Sequence, residues 1–341
     1  SSDPLVEARK RFLSAQLEAA LTRHAMMQDE TFPFIKEAQG LFGVTPELSP
    51  LTEFDPILEE IETIVPGEGA LSERVAAFES GYIIPKDRLK IVFDTAIAEC
   101  KARTIRYFDL PAGENFNMEF VTGKSWSGYN YYQGNYQSLI QINTDLPIFI
   151  GRAVDLGCHE GYPGHHVYNM LLERNLTRER GWKEFSVYPL YSPQSLIAEG
   201  SANYGIELAF SGQQRLDYER DVLYPLAGLD PDTAAAYWAL QIAKQALSGA
   251  RMTIAQQYLD GEMTRAEAIA LSQKYQLVSP ERAAQMIDFT EQYRSYVINY
   301  GLGMEMVRDW IEAQGDAPVW RWKAMERLLS EPILPGDLTG D

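Results

Sequence analysis

Apolar residues recur at helical spacing along most of this 341-residue chain, and that periodicity constrains the fold more than any other feature. The pattern covers about residues 4–28. Two more helices are predicted within 54–80, divided by a Pro-Gly-Glu-Gly break at 66–69. Pro85 opens a longer amphipathic stretch over about 86–107. The sequence therefore predicts a mainly α-helical protein.

The C-terminal half continues the helical pattern. One helix is predicted to begin at Asp230, and a second to follow a capping box formed by Thr264 and Glu267. A third is predicted to begin at Ser279-Pro280, because proline is favoured at the first helical position.

Between the two helical parts the apolar spacing changes from helical to alternating. Residues 116–121 and 138–143 alternate apolar and polar side chains, as half-buried strands do. The segment between them is rich in Trp, Tyr, Gly and Asn, which predicts a hairpin whose aromatic side chains either line a cleft or pack on the sheet. We therefore expect one domain over 1–341, with N-terminal helices in 1–110, a small antiparallel sheet or hairpin in 115–145 beside the active-site helix, and a helical metal-site region in 148–341.

The composition excludes several functional classes. A net charge of −18 argues against nucleic-acid binding, because phosphate contacts need clustered Lys and Arg. No apolar run approaches the roughly 20 residues that span a bilayer, so no integral membrane association is expected. Two cysteines exclude a disulfide-rich fold, and Cys158 is expected to be a small apolar residue on a buried helix face. The N-terminal residues show no targeting signal, which leaves cytoplasmic and exported locations both open.

A histidine cluster is the strongest functional signal. Three of the four histidines, His159, His165 and His166, fall within eight residues, and Glu160 directly follows the first. Histidine is the commonest metal ligand among side chains. The usual zinc-peptidase motif, His-Glu-x-x-His, places two imidazoles one turn apart and uses its Glu as general base.

The spacing in this chain differs from that motif. His159 and His165 are six residues apart and would face opposite sides of a regular helix, but Pro163-Gly164 interrupts it. A broken turn there would bring His165 back onto the face of His159. The alternative pair, His159 and His166, needs an uninterrupted helix, which Pro163 disfavours.

A catalytic zinc needs a third protein ligand and an open position for water. Glu199, flanked by small and apolar residues, offers a carboxylate that a cation would compensate. Glu207 lies two turns further along and is either an alternative ligand or a hydrogen-bond partner of a ligating imidazole. Both glutamates are otherwise consistent with an ordinary helix surface.

The segment His-Glu-Gly-Tyr-Pro-Gly-His-His at 159–166 resembles the His-Glu-x-x-Pro-Gly-His-His motif of the bacterial family called domain of unknown function 885. Glu-Gly-Ser-Ala-Asn-Tyr at 199–204 resembles that family's Glu-Gly-x-Ala-x-Tyr stretch. Tyr300-Gly-Leu-Gly303 with Val307-Arg308 resembles its C-terminal signature, although the Pro and Gln that usually precede the Tyr are absent. The family is in turn similar to gluzincin-type zinc metallopeptidases.

The resemblance implies a helical fold and one Zn²⁺ ion held by His159, His165 and Glu199. It makes Glu160 the general base that takes a proton from the zinc-activated water, and Tyr300 a hydrogen-bond donor to the oxyanion. The expected substrate is a short peptide.

Further substrate contacts are expected at three residues. The strand containing Gln141 and Asn143 would pair with an extended peptide. Arg308 would hold a substrate carboxylate, although an ion pair on a charged helix is the commoner role of such an arginine.

Two alternatives to a peptidase stay open from the sequence. One is a zinc hydrolase acting on another amide or acyl compound. The other is a non-catalytic binding protein with a structural or vestigial metal site, although structural zinc sites are usually rich in Cys and only Cys158 is near.

Overall fold

The computed structural model describes residues 3–340. Within them the helices are α1 (Pro4–Met27), α2 (Phe34–Phe42), α3 (Asp55–Ile64), α4 (Leu71–Glu79), α5 (Leu89–Thr104), α6 (Arg152–Glu160), α7 (His165–Leu172), α8 (Pro193–Ala209), α9 (Gln213–Tyr218), α10 (Tyr224–Ala227), α11 (Ala234–Gln245), α12 (Ser248–Leu259), α13 (Arg265–Gln276), α14 (Pro280–Tyr293), α15 (Ile298–Glu312), α16 (Pro318–Ser330) and α17 (Pro335–Thr339). The mainly α-helical prediction is confirmed.

Local sequence signals place the helix ends. The Asp3 side chain accepts a hydrogen bond from the backbone N–H of Leu5 at the start of α1. Thr264 and Glu267 form the predicted capping box at the start of α13. Ser279 caps α14, whose first residue is proline.

The small sheet differs from the predicted pairing. Its strands are β1 (Asn115–Val121), β2 (Gly128–Gly134) and β3 (Gln137–Asn143), in the spatial order β1-β3-β2. β1 and β3 pair in parallel, whereas β2 and β3 are antiparallel. The expectation that residues 116–121 and 138–143 form an antiparallel hairpin is therefore wrong. The hairpin is β2–β3, closed by Asn135 and Tyr136, which both have positive φ as a two-residue turn requires.

Two hydrophobic clusters form the core. The larger one includes buried side chains of α5, α6, α7, α8 and α15, and the smaller one lies among α3, α4 and α11–α14. In the larger cluster a disulfide joins Cys100 of α5 to Cys158 of α6, with their Cα atoms 5.4 Å apart. The prediction that Cys158 is only a small apolar residue is therefore wrong, because it covalently ties the histidine-bearing helix to α5.

Close packing of α8 against α15 places two functional segments side by side. A Cβ atom on Gly200 would lie 2.3 Å from the carbonyl oxygen of Gly303, so only glycine permits this helix approach. Glu199 on α8 thereby lies beside the segment that contains Tyr296 and Tyr300. Among residues 3–340, none of the helices combines the length and apolar character needed to cross a bilayer.

Candidate metal centre

The histidine segment is two helices joined by a tight break. α6 ends at Glu160 and α7 begins at His165, and the backbone N–H of Gly164 donates to the carbonyl of Cys158 at 3.0 Å. A Cβ atom on Gly164 would lie only 1.8 Å from the carbonyl oxygen of His159. Proline ends the first helix and glycine allows the second to fold back on it, as the sequence predicts.

This break brings two imidazoles together, and a carboxylate of α8 lies beside them. Nε2 of His159 and Nε2 of His165 lie 3.1 Å apart. The Glu199 carboxylate lies 3.2 Å from Nε2 of His159 and 3.3 Å from Nε2 of His165. Oε2 of Glu199 has no well-aligned hydrogen bond despite its burial. Two imidazole nitrogens and a carboxylate that converge on one point are a donor set that a divalent metal uses.

His166 does not join this cluster. Its ring is fully buried, with Nδ1 2.8 Å from Oγ of Ser138 on β3 and Nε2 2.9 Å from Oε2 of Glu114. Both ring nitrogens are therefore engaged by protein groups. His166 ties α7 to the sheet, and of the two pairs that the sequence left open only His159 and His165 have their Nε2 atoms close together.

Glu160 stands beside the cluster without contacting its nitrogens closely. One oxygen of Glu160 and one nitrogen each of His159 and His165 lie within 4.8 Å of one another, and Oε2 of Glu160 is buried without a hydrogen-bond partner. Glu199 lies closer to both imidazoles than this. Both carboxylates therefore border the two imidazoles, Glu199 in close contact with them and Glu160 further away.

The charges in the cluster act strongly on each other. Burial opposes protonation of His159, but its contact with Glu199 and the charges of Glu160 and Glu199 raise its pKa to about 8. Burial also opposes ionisation of Glu199, yet the two imidazoles lower its pKa. Burial, with a smaller contribution from Glu199, raises the pKa of Glu160. Two carboxylates in one buried site favour a positive charge between them.

Two neighbours that the sequence reasoning missed orient the ligands. Oδ1 of Asn203 lies 2.9 Å from Nδ1 of His159 and accepts its proton in a hydrogen bond, which leaves Nε2 directed toward the cluster. The hydroxyl of Tyr296 donates to Oε1 of Glu199 at 2.8 Å. Asn203 lies four residues after Glu199 on α8, so helical spacing was a signal for it, whereas nothing in the sequence singled out Tyr296.

Tyr300 is on the wall of the cleft, one turn after Tyr296. The two rings are 5.9 Å apart, and the guanidinium of Arg251 lies 5.5 Å from the Tyr300 ring centre. Burial, followed by the charge of Glu199, raises the pKa of Tyr300 well above its usual range, so its hydroxyl remains a proton donor. This position is compatible with the role that the sequence resemblance implies.

The predicted peptide-pairing strand is wrong. Gln141 and Asn143 belong to β3, which is the central strand and has both edges occupied by β1 and β2. The amide of Gln141 contacts Glu119, and that of Asn143 donates to the carbonyls of Lys124 and Trp126. Neither residue can therefore pair with a substrate peptide. The Tyr-rich segment, which was predicted to be a turn region, is the edge strand β2 and occupies the edge of β3 where the peptide was expected.

Glu207 and Arg308 are paired with each other. The Arg308 guanidinium contacts both Glu207 oxygens at 2.9–3.2 Å, and Gln245 donates to the same carboxylate. Glu207 therefore contacts no ligating imidazole, and the prediction of a ligand or imidazole partner there is wrong. Arg308 already has a carboxylate on its guanidinium.

The cluster of His159, His165 and Glu199 opens into a large cleft with a volume of about 2400 Å³. Residues of α8, α11, α12, α14 and α15 and of β2 line it. Trp126, Tyr129, Tyr131 and Tyr132 line it, so the aromatic segment faces the cleft. Asn130 of β2 donates to the main-chain carbonyl of Glu160 at 2.8 Å, which fixes this strand beside the site.

Comparison with known proteins identifies a related fold. No family model matches the chain, and no curated protein matches it. A crystal structure described as that of a "putative lipoprotein" from Colwellia psychrerythraea matches with a TM-score of 0.61 and 18% sequence identity, over 89% of this chain and 53% of that one. This chain thus spans about half the length of that protein. At such identity the likeness shows a shared fold alone.

Proposed function

We propose that this protein is a zinc-dependent hydrolase that cleaves short peptides. One observation carries the proposal. Nε2 of His159, Nε2 of His165 and the carboxylate of Glu199 converge within 3.1–3.3 Å, and the unpartnered carboxylate of Glu160 stands beside them at the cleft. Two imidazoles and one carboxylate are a ligand set of catalytic zinc sites.

The residues present fit a zinc ion. His159, His165 and Glu199 would hold it, leaving a coordination position toward the cleft. Asn203 and Tyr296 hold two of the ligands through hydrogen bonds, as partners of ligating side chains commonly do. When bound, zinc lowers the pKa of a coordinated water toward about 7 and polarises a substrate carbonyl.

Glu160 has the position and environment of a general base. Its Oε2 is buried and unpartnered, and burial raises its pKa, which makes the carboxylate a better proton acceptor. In the proposed reaction Glu160 takes a proton from the attacking water and later returns it to the leaving amine. Tyr300 donates a hydrogen bond to the oxygen of the scissile carbonyl as charge develops there.

The edge strand β2 is the proposed guide for the peptide. β2 ends the sheet, so its outer edge is unpaired by another strand, and Asn130 ties it to the Glu160 backbone. Gly128 lies so close to the base that a Cβ atom there would be 2.9 Å from Oε1 of Glu160. An extended peptide pairing with β2 would place its backbone next to the base.

The test compares the zinc-loaded wild type with Glu160→Gln on a library of short peptides. Loss of the base is expected to lower kcat by about 10²–10⁴-fold. Zinc content is measured in parallel, since Glu160 is not a ligand and the variant should retain one ion. Equal turnover by the two proteins would refute Glu160 as the base, and no peptide turnover by the zinc-loaded wild type would refute the function.

A further inference from the structure

Within the described part of the chain, two half-buried arginines of the cleft lack a carboxylate partner. Arg251 on α12 and Arg282 on α14 both line the cleft. Among the described residues 3–340, no carboxylate oxygen lies within 4.0 Å of either guanidinium. Nε of Arg251 is buried without a hydrogen-bond partner, and its guanidinium lies 5.2 Å from the Phe289 ring centre and 5.5 Å from that of Tyr300. Such buried donors normally have an acceptor.

Arg282 is bound only by neutral groups. It donates to Oγ of Ser127 at 3.0 Å and to the side-chain oxygen of Gln285. Burial, followed by the charges of Arg152 and Arg251, lowers its pKa. Arg251 and Arg282 lie on helices that contact each other, α12 and α14, and both line the cleft.

Three other cleft arginines are ion-paired: Arg152 contacts Asp155, Arg308 contacts Glu207, and Arg321 contacts Glu312. Arg106, which also lines the cleft, has no ion pair within the described residues but is exposed to solvent, whereas Arg251 and Arg282 are half-buried. Unpaired, partly buried guanidinium groups are well suited to bind an anion that enters from the cleft.

With zinc bound, the carboxylates of Glu160 and Glu199 would not neutralise Arg251 and Arg282. The charge of the ion would offset the carboxylates of Glu160 and Glu199, which leaves the positive charges of Arg251 and Arg282 uncompensated. Arg251 lies against Tyr300, and Ser127, the partner of Arg282, directly precedes Gly128 beside Glu160. The pair thus faces the part of the cleft next to the reacting groups.

We propose that Arg251 and Arg282 form a carboxylate-binding subsite, so that the preferred substrates are peptides with a carboxylate close to the scissile bond. This inference rests on the proposed peptide hydrolysis. The carboxylate has two sources, the C-terminus of the peptide or an Asp or Glu side chain near the bond. Guanidinium groups bind both in the same way, through paired hydrogen bonds to the two oxygens.

The test measures binding to zinc-loaded Glu160→Gln protein, so that hydrolysis does not intervene. Calorimetry compares three N-acetylated tripeptides, namely a free acid, the same peptide as its C-terminal amide, and an amide that carries one internal Asp. At least one of the two carboxylate peptides is expected to bind about 10–100-fold more tightly than the neutral amide. The peptide that shows the preference identifies the source of the carboxylate.

The double substitution Arg251→Met with Arg282→Met is expected to abolish the preference while binding of the neutral amide persists. Arg321→Met is the matched control, because Arg321 lines the same cleft but is paired with Glu312, and it should keep the preference. If the double variant does not fold, Arg251→Lys and Arg282→Lys replace the planar guanidinium by an ammonium and should each reduce the preference several-fold.

Equal binding of the three peptides would overturn the subsite, as would a preference that survives the arginine substitutions. The binding result is separable from the proposed activity. If the wild type hydrolyses peptides but shows no carboxylate preference, the proposed subsite is refuted and the proposed peptidase activity is retained. A preference without any hydrolysis by the wild type would remove the peptidase and leave a carboxylate-binding cleft.

Discussion

Replacing Gly164 by Ala is expected to dismantle the metal centre through its backbone. The new Cβ atom would lie 1.8 Å from the carbonyl oxygen of His159 and 2.5 Å from that of Cys158. Ordinary van der Waals contact begins near 3.4 Å, so the junction of α6 and α7 must open by roughly 1.6 Å. Neither obstacle is a flexible side chain that can rotate away.

A shift of this size exceeds what a zinc site tolerates. Zinc–ligand distances are held to within about 0.2 Å, and the displaced junction carries His159 at one end and His165 at the other. We expect zinc affinity to fall by at least about 100-fold, because even loss of a neighbour that only orients a ligand costs about 10–100-fold. Forcing an extra methyl group into packed structure should also destabilise the fold by about 1–3 kcal/mol.

The assay is competition for zinc against a chromophoric chelator, with thermal unfolding measured on the same samples. Gly81→Ala is the matched control, since a Cβ atom there meets nothing within 4 Å and should leave zinc affinity unchanged. Wild-type affinity in Gly164→Ala would refute the idea that this glycine brings the two histidines together.

Three further predictions concern the surroundings of the site. Tyr296→Phe removes the 2.8 Å hydrogen bond to Glu199 and should weaken zinc binding about 10–100-fold in a chelator competition, with no loss of folding by circular dichroism. The disulfide between Cys100 and Cys158 closes a loop of 58 residues. Reducing it, or replacing both cysteines by Ala, should lower the free energy of unfolding measured in urea by about 4 kcal/mol. Equal stability of the oxidised and reduced protein would contradict this. Although burial opposes ionisation of Glu114, contacts with His166, Lys101 and Tyr162 lower its pKa from 4.5 to about 2. Its carboxylate should therefore stabilise the fold by roughly 3 kcal/mol at pH 7, and this contribution should be lost as the pH falls from about 4.5 to 2. Urea unfolding of wild type and Glu114→Gln at pH 7 and pH 3 measures the contribution, and a difference between the two proteins that does not change with pH would refute it.

The helical framework and the approach of His165 to His159 were predictable because they depend on local rules. Capping residues, prolines and apolar spacing placed the helix starts to within a few residues. The Pro163-Gly164 break gave a physical reason for His165 to face His159, and the structure places the two Nε2 atoms 3.1 Å apart. Proline and glycine change the backbone conformation next to them, so their structural effect can be predicted from a single sequence.

The sheet was harder because strand pairing is non-local. Alternation in residues 116–121 and 138–143 marks two strands but carries no information on whether they run parallel. The Tyr-rich segment has Gly and Asn at positions typical of turns, yet its aromatic side chains favour a strand and the adjacent two-residue turn closes it against β3. Missing β2 led directly to the wrong peptide-pairing strand.

The other features that the sequence did not predict involve residues on helices that are distant in the chain. Cys100 and Cys158 are 58 residues apart, and nothing in their spacing gives the distance between their helices. Arg251 and Arg282 share one cleft only because α12 and α14 both border it. Unpaired charges are recognisable only when every possible partner has been placed, which a sequence pattern does not do.

The zinc stoichiometry of three proteins tests the metal centre most directly. Wild type, His165→Ala and His166→Asn are loaded with zinc, dialysed and measured by atomic emission, with folding checked by circular dichroism. Because Nε2 of His165 faces His159 and Glu199, whereas both nitrogens of His166 are held by Ser138 and Glu114, we expect one, none and one zinc ion per chain. A wild type without zinc, or zinc kept by His165→Ala and lost by His166→Asn, would contradict the proposed centre.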